Sequence, residues 1–305
     1  MPKVFIIILN WNRENDTLEC LKSIQKLLIT NYQLLIAVVD NGSTDGSVNA
    51  IKKFIKNTDN CSLIANHSNL GFAEGNNVGI RHALKNAADY VLVLNNDTKL
   101  DKDLLVQLIK AAEKYKDGGA FSPKIYFAKG YEFHKDRYKK SELGRVLWAA
   151  GGEIDWANVY GKNRGVDEVE CGQYGKIEQL DFASGACVLY RAKALRKVGL
   201  YDERYFTYYE DVELSTRMRK RNWKTYYVPK AVLWHKVAQS SKIGSGLNDY
   251  FITRNRLLFG MKYAPLRTKL ALIREAVKFL VKGRVWQRTG ALDYIISNFY
   301  KGSWK

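Results

Sequence analysis

The sequence predicts an α/β protein with a doubly wound, parallel or mixed sheet, on three observations. Apolar runs at residues 4–9, 34–39, 61–65 and 90–94 are short, continuous and bounded by polar residues, as strands covered on both faces are. Segments with helical spacing alternate with them, the β-loop-α pattern of a doubly wound sheet. Each run also ends in small polar residues, and the carboxyl ends of strands are where open α/β sheets place ligands. One such loop is weak evidence; four that converge on one sheet edge point to a site.

The first run ends in Asn10-Trp11-Asn12-Arg13, and Leu18, Leu21, Ile24, Leu27 and Leu28 recur at helical spacing after it. The second ends in Asp40-Asn41-Gly42-Ser43-Thr44-Asp45-Gly46-Ser47, a loop whose glycines let backbone approach a ligand. Thr44 or Asp45 is placed to cap a helix running to about Lys56. Residues 66–77 read as another small, polar loop, with Asn69, Gly71, Glu74, Gly75, Asn76 and Asn77, and a helix is expected over 78–86. The fourth run delivers Asn95-Asn96-Asp97. Asp97 there is placed to hold a hard cation that bridges to phosphates; equally, the triplet can be a turn that caps a helix over 102–114.

Residues 128–181 are irregular, with seven glycines between Gly144 and Gly175, and read as a β-rich insertion or flap with strand-like pieces at 146–149 and 159–160. Loops on a rigid scaffold carry specificity, which assigns this part to the acceptor side; an ordinary surface excursion is the alternative. A helix should begin at Glu210-Asp211, acids that its macrodipole stabilises, and stop at Asn222, which tolerates a left-handed backbone. A strand over 224–228 leads through Pro229 to residues 231–235, ending in His235. Ser240, Ser241, Gly244, Ser245 and Gly246 read as a lid loop within a C-terminal extension over 241–305. Beyond it, Leu266, Leu270, Ile273, Val277 and Leu280 recur at helical spacing among Lys269, Arg274, Lys278 and Lys282. Such a helix fits an anionic bilayer or docks on the rest of the chain with its basic face solvated.

Composition bounds the function. The 305 residues carry 46% apolar and 26% charged side chains, ordinary for a globular protein, but a net charge of +18, which attracts acidic partners. Cys20, Cys61, Cys171 and Cys187 show no metal-type spacing and suit a reducing compartment. No signal-peptide pattern and no spanning apolar run appears, so a cytoplasmic location is expected.

The segments Ile7-Ile8-Leu9-Asn10-Trp11-Asn12-Arg13, Val38-Val39-Asp40-Asn41-Gly42-Ser43-Thr44-Asp45-Gly46-Ser47 and Asn69-Leu70-Gly71-Phe72-Ala73-Glu74-Gly75-Asn76-Asn77 come in an order and spacing that is specific. With Asn95-Asn96-Asp97, Phe182-Ala183-Ser184-Gly185-Ala186-Cys187, Gly199-Leu200-Tyr201-Asp202-Glu203, Tyr209-Glu210-Asp211-Val212-Glu213-Leu214 and His235, the set resembles glycosyltransferase family 2 over residues 3–240. The closest pattern is the rhamnosyltransferase-like subgroup. The resemblance implies a GT-A fold over 1–240, a Rossmann-like mixed sheet flanked by helices, with a C-terminal helical extension.

Further roles follow from the resemblance. Asp40 would accept from the pyrimidine ring, with Asn10, Trp11, Asn12 and Asn41 against the base or ribose and Asn69, Gly71 and Asn76 lining the nucleotide pocket. Asp97 and His235 would hold Mn²⁺ or Mg²⁺. The chain departs from the family's Asp-x-Asp at Asn95, which shifts Asn95 and Asn96 toward ribose or sugar hydroxyls. Asp211 would be the base, with Ser184, Gly185 and Glu210 on the acceptor and sugar side.

The implied enzyme inverts the sugar it transfers, with rhamnose from dTDP-rhamnose first and UDP-GlcNAc, UDP-Gal or another UDP-sugar as alternatives. Its acceptor would be a glycan or a polyprenyl-linked glycan, met at the inner face of the cell membrane. A nucleic-acid-binding protein is the other class, but only the charge argues for it; no RRM, KH, zinc-finger or helix-turn-helix signature appears.

Overall fold

A computed structural model describes residues 1–29, 31–56, 58–237 and 245–304. Strands β1 (Lys3–Asn10), β2 (Gln33–Asp40), β3 (Cys61–Ala65) and β4 (Tyr90–Asn95) alternate with helices α1 (Glu14–Ile24), α2 (Ser47–Ile55) and α3 (Gly71–Lys85). They pair in parallel in the order β4-β1-β2-β3, so all four loops leave the same edge. Strand β5 (Thr98–Leu100), helix α4 (Leu104–Lys114) and strand β6 (Gly118–Phe127) follow. The insertion contributes β7 (Leu147–Ala149), the hairpin β8 (Gly152–Asp155) with β9 (Tyr160–Asn163), and β10 (Glu178–Leu180).

Strand β11 (Cys187–Arg191) then enters between β4 and β6, antiparallel to both, and makes the sheet mixed. Helices α5 (Ala192–Val198) and α6 (Glu210–Lys220) lead to β12 (Lys224–His235). The two pieces expected around Pro229 form this one strand, with a register shift between Val228 and Val232 that absorbs the proline. The full order is β10-β12-β6-β11-β4-β1-β2-β3, with β5 on β12 and β7 on β6.

Alternate residues of the central strands face two cores. Ile6, Ile8, Leu92 and Leu94 lie with α1, α2 and α4; Ile7, Val91 and Val93 lie with α3, α5 and α6. Burial on both faces is why these strands read as unbroken apolar runs.

Two local expectations are corrected. Helix α3 starts at Gly71, seven residues before the expected 78, because Gly75 and Gly79 let the helix lie directly on β1. A Cβ at either glycine would collide with Leu9 or Ile7, so close packing forms a turn that lacks an apolar stripe. Helix α1 stops at Ile24, and Leu28 is exposed.

After β12 the lid-loop positions Ser240, Ser241 and Gly244 lie outside the described residues, while Ser245 caps α7 (Gly246–Tyr263). Helices α8 (Leu266–Lys282) and α9 (Val285–Ile295) complete the extension. Helix α8 docks by Thr268, Leu272 and Ala276, and its basic residues Arg274, Lys278 and Lys282 stay in solvent. The stripe Leu266, Leu270, Ile273, Val277 and Leu280 faces away, each residue 37–74% exposed. Among the described residues no helix is long and apolar enough to cross a membrane.

Candidate active site

The parallel register places Asn10 beside Asp40 at the ends of β1 and β2. Asn10 Nδ2 donates to Asp40 Oδ2 at 2.7 Å and to Ser43 Oγ at 3.1 Å, and the Ser43 N–H donates to Asp40 Oδ1 at 2.9 Å. The Thr17 hydroxyl and Asn96 Nδ2 donate to Asn10 Oδ1, which ties the end of β4 to the same network. Asp40 is 1% exposed. Each carboxylate oxygen still has a lone pair for one further donor.

Asn12, at φ 52°, accepts from the Thr44 and Asp45 N–H groups, which fixes the 43–45 turn. Trp11 beside it is 49% exposed, a large flat apolar face at the mouth of the loop. Asn41 turns inward: its amide donates to Asn69 Oδ1 and the Gly71 carbonyl and accepts from Leu70 N–H and Asn66 Nδ2. It braces the loop, and nothing in its amide is left for a ligand's strong hydrogen bonds. Gly71 sits at φ 79° against Phe206, where a Cβ would collide. Asn76 donates to Phe72 O while its Oδ1 is buried without a hydrogen-bond partner.

Strand β5 pairs with β12 so that Thr98 faces His235, which sets His235 beside Asp97. Nε2 of His235 lies 3.0 Å from Asp97 Oδ1. Yet Asp97 Oδ1 and His235 Nδ1 are both buried without hydrogen-bond partners. A 3.0 Å gap between an oxygen and an imidazole nitrogen matches neighbouring ligands on an octahedral cation with bonds of about 2.1 Å. The mixed N/O donor set suits Mn²⁺ or Mg²⁺, with nitrogen favouring manganese. Among the described residues no group of three or more His, Cys, Asp or Glu could hold a metal alone, so the other ligands of a cation here would be phosphate oxygens or water.

The 184–186 turn joins this end of the sheet to α6. The Asn95 N–H donates to Ala186 O at 2.9 Å, and the neighbouring Gly185 N–H donates to Asp211 Oδ2 at 2.9 Å. The Ser184 hydroxyl accepts from the Ala186 N–H, holding the turn. Asp211 Oδ1 accepts from Val212 N–H at 2.8 Å. Burial raises the Asp211 pKa above the ordinary carboxyl value, against the backbone N–H groups that favour the anion. Glu210 is 5% exposed, and its Oε2 has no hydrogen-bond partner. Burial, then the Asp211 charge, pushes its pKa well up. Of the two carboxyls, Glu210 is the one that burial and its neighbour push toward the neutral form, while Asp211 has two backbone N–H donors that favour its anion.

Sequence reasoning passed over three contributors. Thr17 and Ser43 are hydroxyl junctions of the Asn10–Asp40 network, and Ser43 stood in a quoted motif without a role. Trp148, from the insertion, meets the His235 ring edge-on at 4.7 Å. No local signal marks it, because it reaches the site through the pairing of its strand with β6. Arg219 of α6 pairs with Asp181.

The family model "Glycosyl transferase family 2" matches residues 5–199. A Mycobacterium tuberculosis protein, "N-acetylglucosaminyl-diphospho-decaprenol L-rhamnosyltransferase", is 30% identical over 226 residues, 70% of each chain. Two solved structures share the fold at lower identity. "Mannosyltransferase PcManGT from Pyrobaculum calidifontis in complex with GDP-Man and Mn2+" has a TM-score of 0.57 at 16% identity, covering 97% of this chain and 74% of that one. S. aureus TarS 1-349 in complex with UDP-GlcNAc has 0.59 at 17%, covering 96% and 80%. With its GT-A sheet and these matches, the chain belongs to glycosyltransferase family 2 and is a glycosyltransferase.

Proposed function

We propose that the chain is an inverting, metal-dependent rhamnosyltransferase that takes rhamnose from dTDP-rhamnose to a hydroxyl of a lipid-linked glycan. One observation carries the reading: the Asn95–Ala186 and Gly185–Asp211 hydrogen bonds put the Asp97 end of β4 and a half-buried carboxylate on adjacent residues of one turn. The similarity to the mycobacterial rhamnosyltransferase supports the sugar and the class of acceptor.

In this reading Asp40 accepts a pyrimidine N–H and Trp11 lies against the ring. Asn10 and Asn12 hold the loop around the nucleoside; Asn95 and Asn96 meet ribose or sugar hydroxyls. Asp97 and His235 hold the cation, which when bound neutralises the departing diphosphate. Asp211 takes the proton of the acceptor hydroxyl, whose oxygen bonds to the anomeric carbon from the face opposite the diphosphate. The bond from that carbon to the diphosphate oxygen breaks, and nucleoside diphosphate leaves.

The exposed α8 stripe is the membrane-facing surface, with Arg274, Lys278 and Lys282 along its flank meeting anionic headgroups at the inner face of the cell membrane. Thr268 on its docked face donates to Trp156 O of the insertion, so this helix leans on the acceptor side.

The test is thermal stabilisation by dTDP, UDP and GDP, each with Mn²⁺, with Mg²⁺ and with EDTA. The expected result is metal-dependent stabilisation, largest with dTDP, by mass action on the folded state. A UDP preference would move the donor to a UDP-sugar, and no response to any nucleotide would overturn the reading.

A further inference from the structure

The turn that delivers Asp211 is strained. Phe206, Tyr208 and Tyr209 all have positive φ, at 58°, 66° and 72°, a region that large L side chains rarely occupy. Tyr209 is the residue from which α6 starts, so the direction of the Glu210-Asp211 pair is set by a backbone that would relax elsewhere if released. Something non-local must hold it.

Helix α7 does so. Asn255 is fully buried, and its Nδ2 lies 2.8 Å from the carbonyl oxygens of Tyr205, Thr207 and Tyr208. Its Oδ1 accepts from Arg254 Nε at 3.0 Å, which fixes the amide with its donors toward the turn. Arg254, 0% exposed, also donates to the carbonyls of Arg204 and Tyr205. Behind it the Tyr250 hydroxyl joins the guanidinium to Asp293, and Asp293 also accepts from Ser303, near the end of the chain. On its other side the turn meets the nucleotide end: Phe206 O accepts from the Phe72 and Ala73 N–H groups that open α3.

We propose that Asn255, with Arg254 behind it, is a positioning residue for the base: it clamps the 205–209 turn in the one conformation that aims Asp211 at the 184–186 turn. This rests on the reading of Asp211 as the base. The C-terminal extension is then part of the catalytic apparatus, acting through the 205–209 turn. Removing the clamp lowers turnover, because misplacing a reacting group by about 1 Å costs on the order of 10²-fold. Nucleotide affinity, carried by the ends of β1, β2 and β4, changes far less, the turn reaching the nucleotide end through the Phe206 carbonyl.

The experiment compares wild type, Asn255→Leu (similar volume, no donors), Asn255→Ala, Asp211→Asn and Leu108→Ala. The last opens a cavity among α4 residues in the other core and matches a general loss of stability. Hydrogen exchange of the free protein comes first, since it needs no substrate. The inference expects amides of residues 206–213 to exchange at least about tenfold faster in both Asn255 variants and not in Leu108→Ala; unchanged exchange there overturns it. With a donor in hand, kcat of the Asn255 variants should fall about 10–10²-fold with nucleotide Kd within about threefold. The acid limb of their pH–rate profile should move to lower pH as the Asp211 carboxylate becomes better solvated. A kcat per folded molecule equal to that of wild type, or a loss matched by Leu108→Ala, overturns the clamp. Failure of the base reading shows separately, as an Asp211→Asn chain that transfers normally.

Discussion

Glu210 and Asp211 are adjacent acids whose chemistry is divided by their surroundings. Asp211 accepts two backbone N–H bonds, while Glu210 has a buried oxygen with no partner. The Glu210 pKa is raised by burial in the folded state from an ordinary 4.5, so the folded chain binds the proton more tightly than the unfolded one. The contribution of this one group to stability is then fully present below pH 4.5 and is lost as pH rises through the folded value. Glu210→Gln should raise Tm at pH 7, by about 2–4 °C for each kcal/mol relieved, and the gain should vanish near pH 4; a Tm drop at pH 7 would contradict it. Asp97→Ala should remove Mn²⁺-dependent stabilisation by dTDP while leaving the metal-free Tm within about 2 °C, because Asp97 lies beyond the end of β4, outside the apolar cores; retained stabilisation would take Asp97 out of the metal site. Asp97, Asp40 and Asp211 were legible in the sequence because each sits at the end of a strand or the start of a helix. The hydrogen bond that Asp211 accepts from Gly185 was not, since that N–H group lies 26 residues away in the chain.

At the scale of elements, β1 to β4 were legible because two-sided burial leaves an apolar run. The first two turns of α3 were not, because their glycines and asparagines are chosen for contact with β1 and with Tyr201 rather than for an apolar stripe. Gly71→Ala tests this reading. The left-handed φ of 79° costs about 1–2 kcal/mol for alanine, and collision with Phe206 adds about 1–3. A loss of about 2–5 kcal/mol in urea unfolding is expected, and a neutral substitution would contradict the packing account. The 205–209 turn was equally hidden: its positive φ values are held by Asn255, about 50 residues later. Residues 250–255 carry no motif that local reasoning could have singled out.

For the whole molecule, the charge of +18 and the exposed stripe of α8 point the same way. The sequence offered two fates for that helix; it docks by Thr268, Leu272 and Ala276 with an apolar stripe left exposed, and the membrane fate is the proposal that stripe supports. Leu270→Glu with Val277→Glu alters only exposed positions, so Tm should stay within about 2 °C. Co-sedimentation with anionic vesicles should fall several-fold, and wild-type binding should weaken with salt as the Debye length shrinks below about 10 Å. Equal partitioning of the two chains would contradict the membrane reading.

The central claim is that Asp211 removes the acceptor proton while the ends of β1, β2 and β4 hold the donor. Its most direct test is the rate of rhamnose transfer from dTDP-rhamnose and the dTDP affinity, with Mn²⁺, measured side by side for wild type and Asp211→Asn. The account predicts a rate lower by about 10²–10⁴-fold with affinity within a few-fold. Transfer by Asp211→Asn at near the wild-type rate, or a parallel collapse of dTDP affinity, would contradict it.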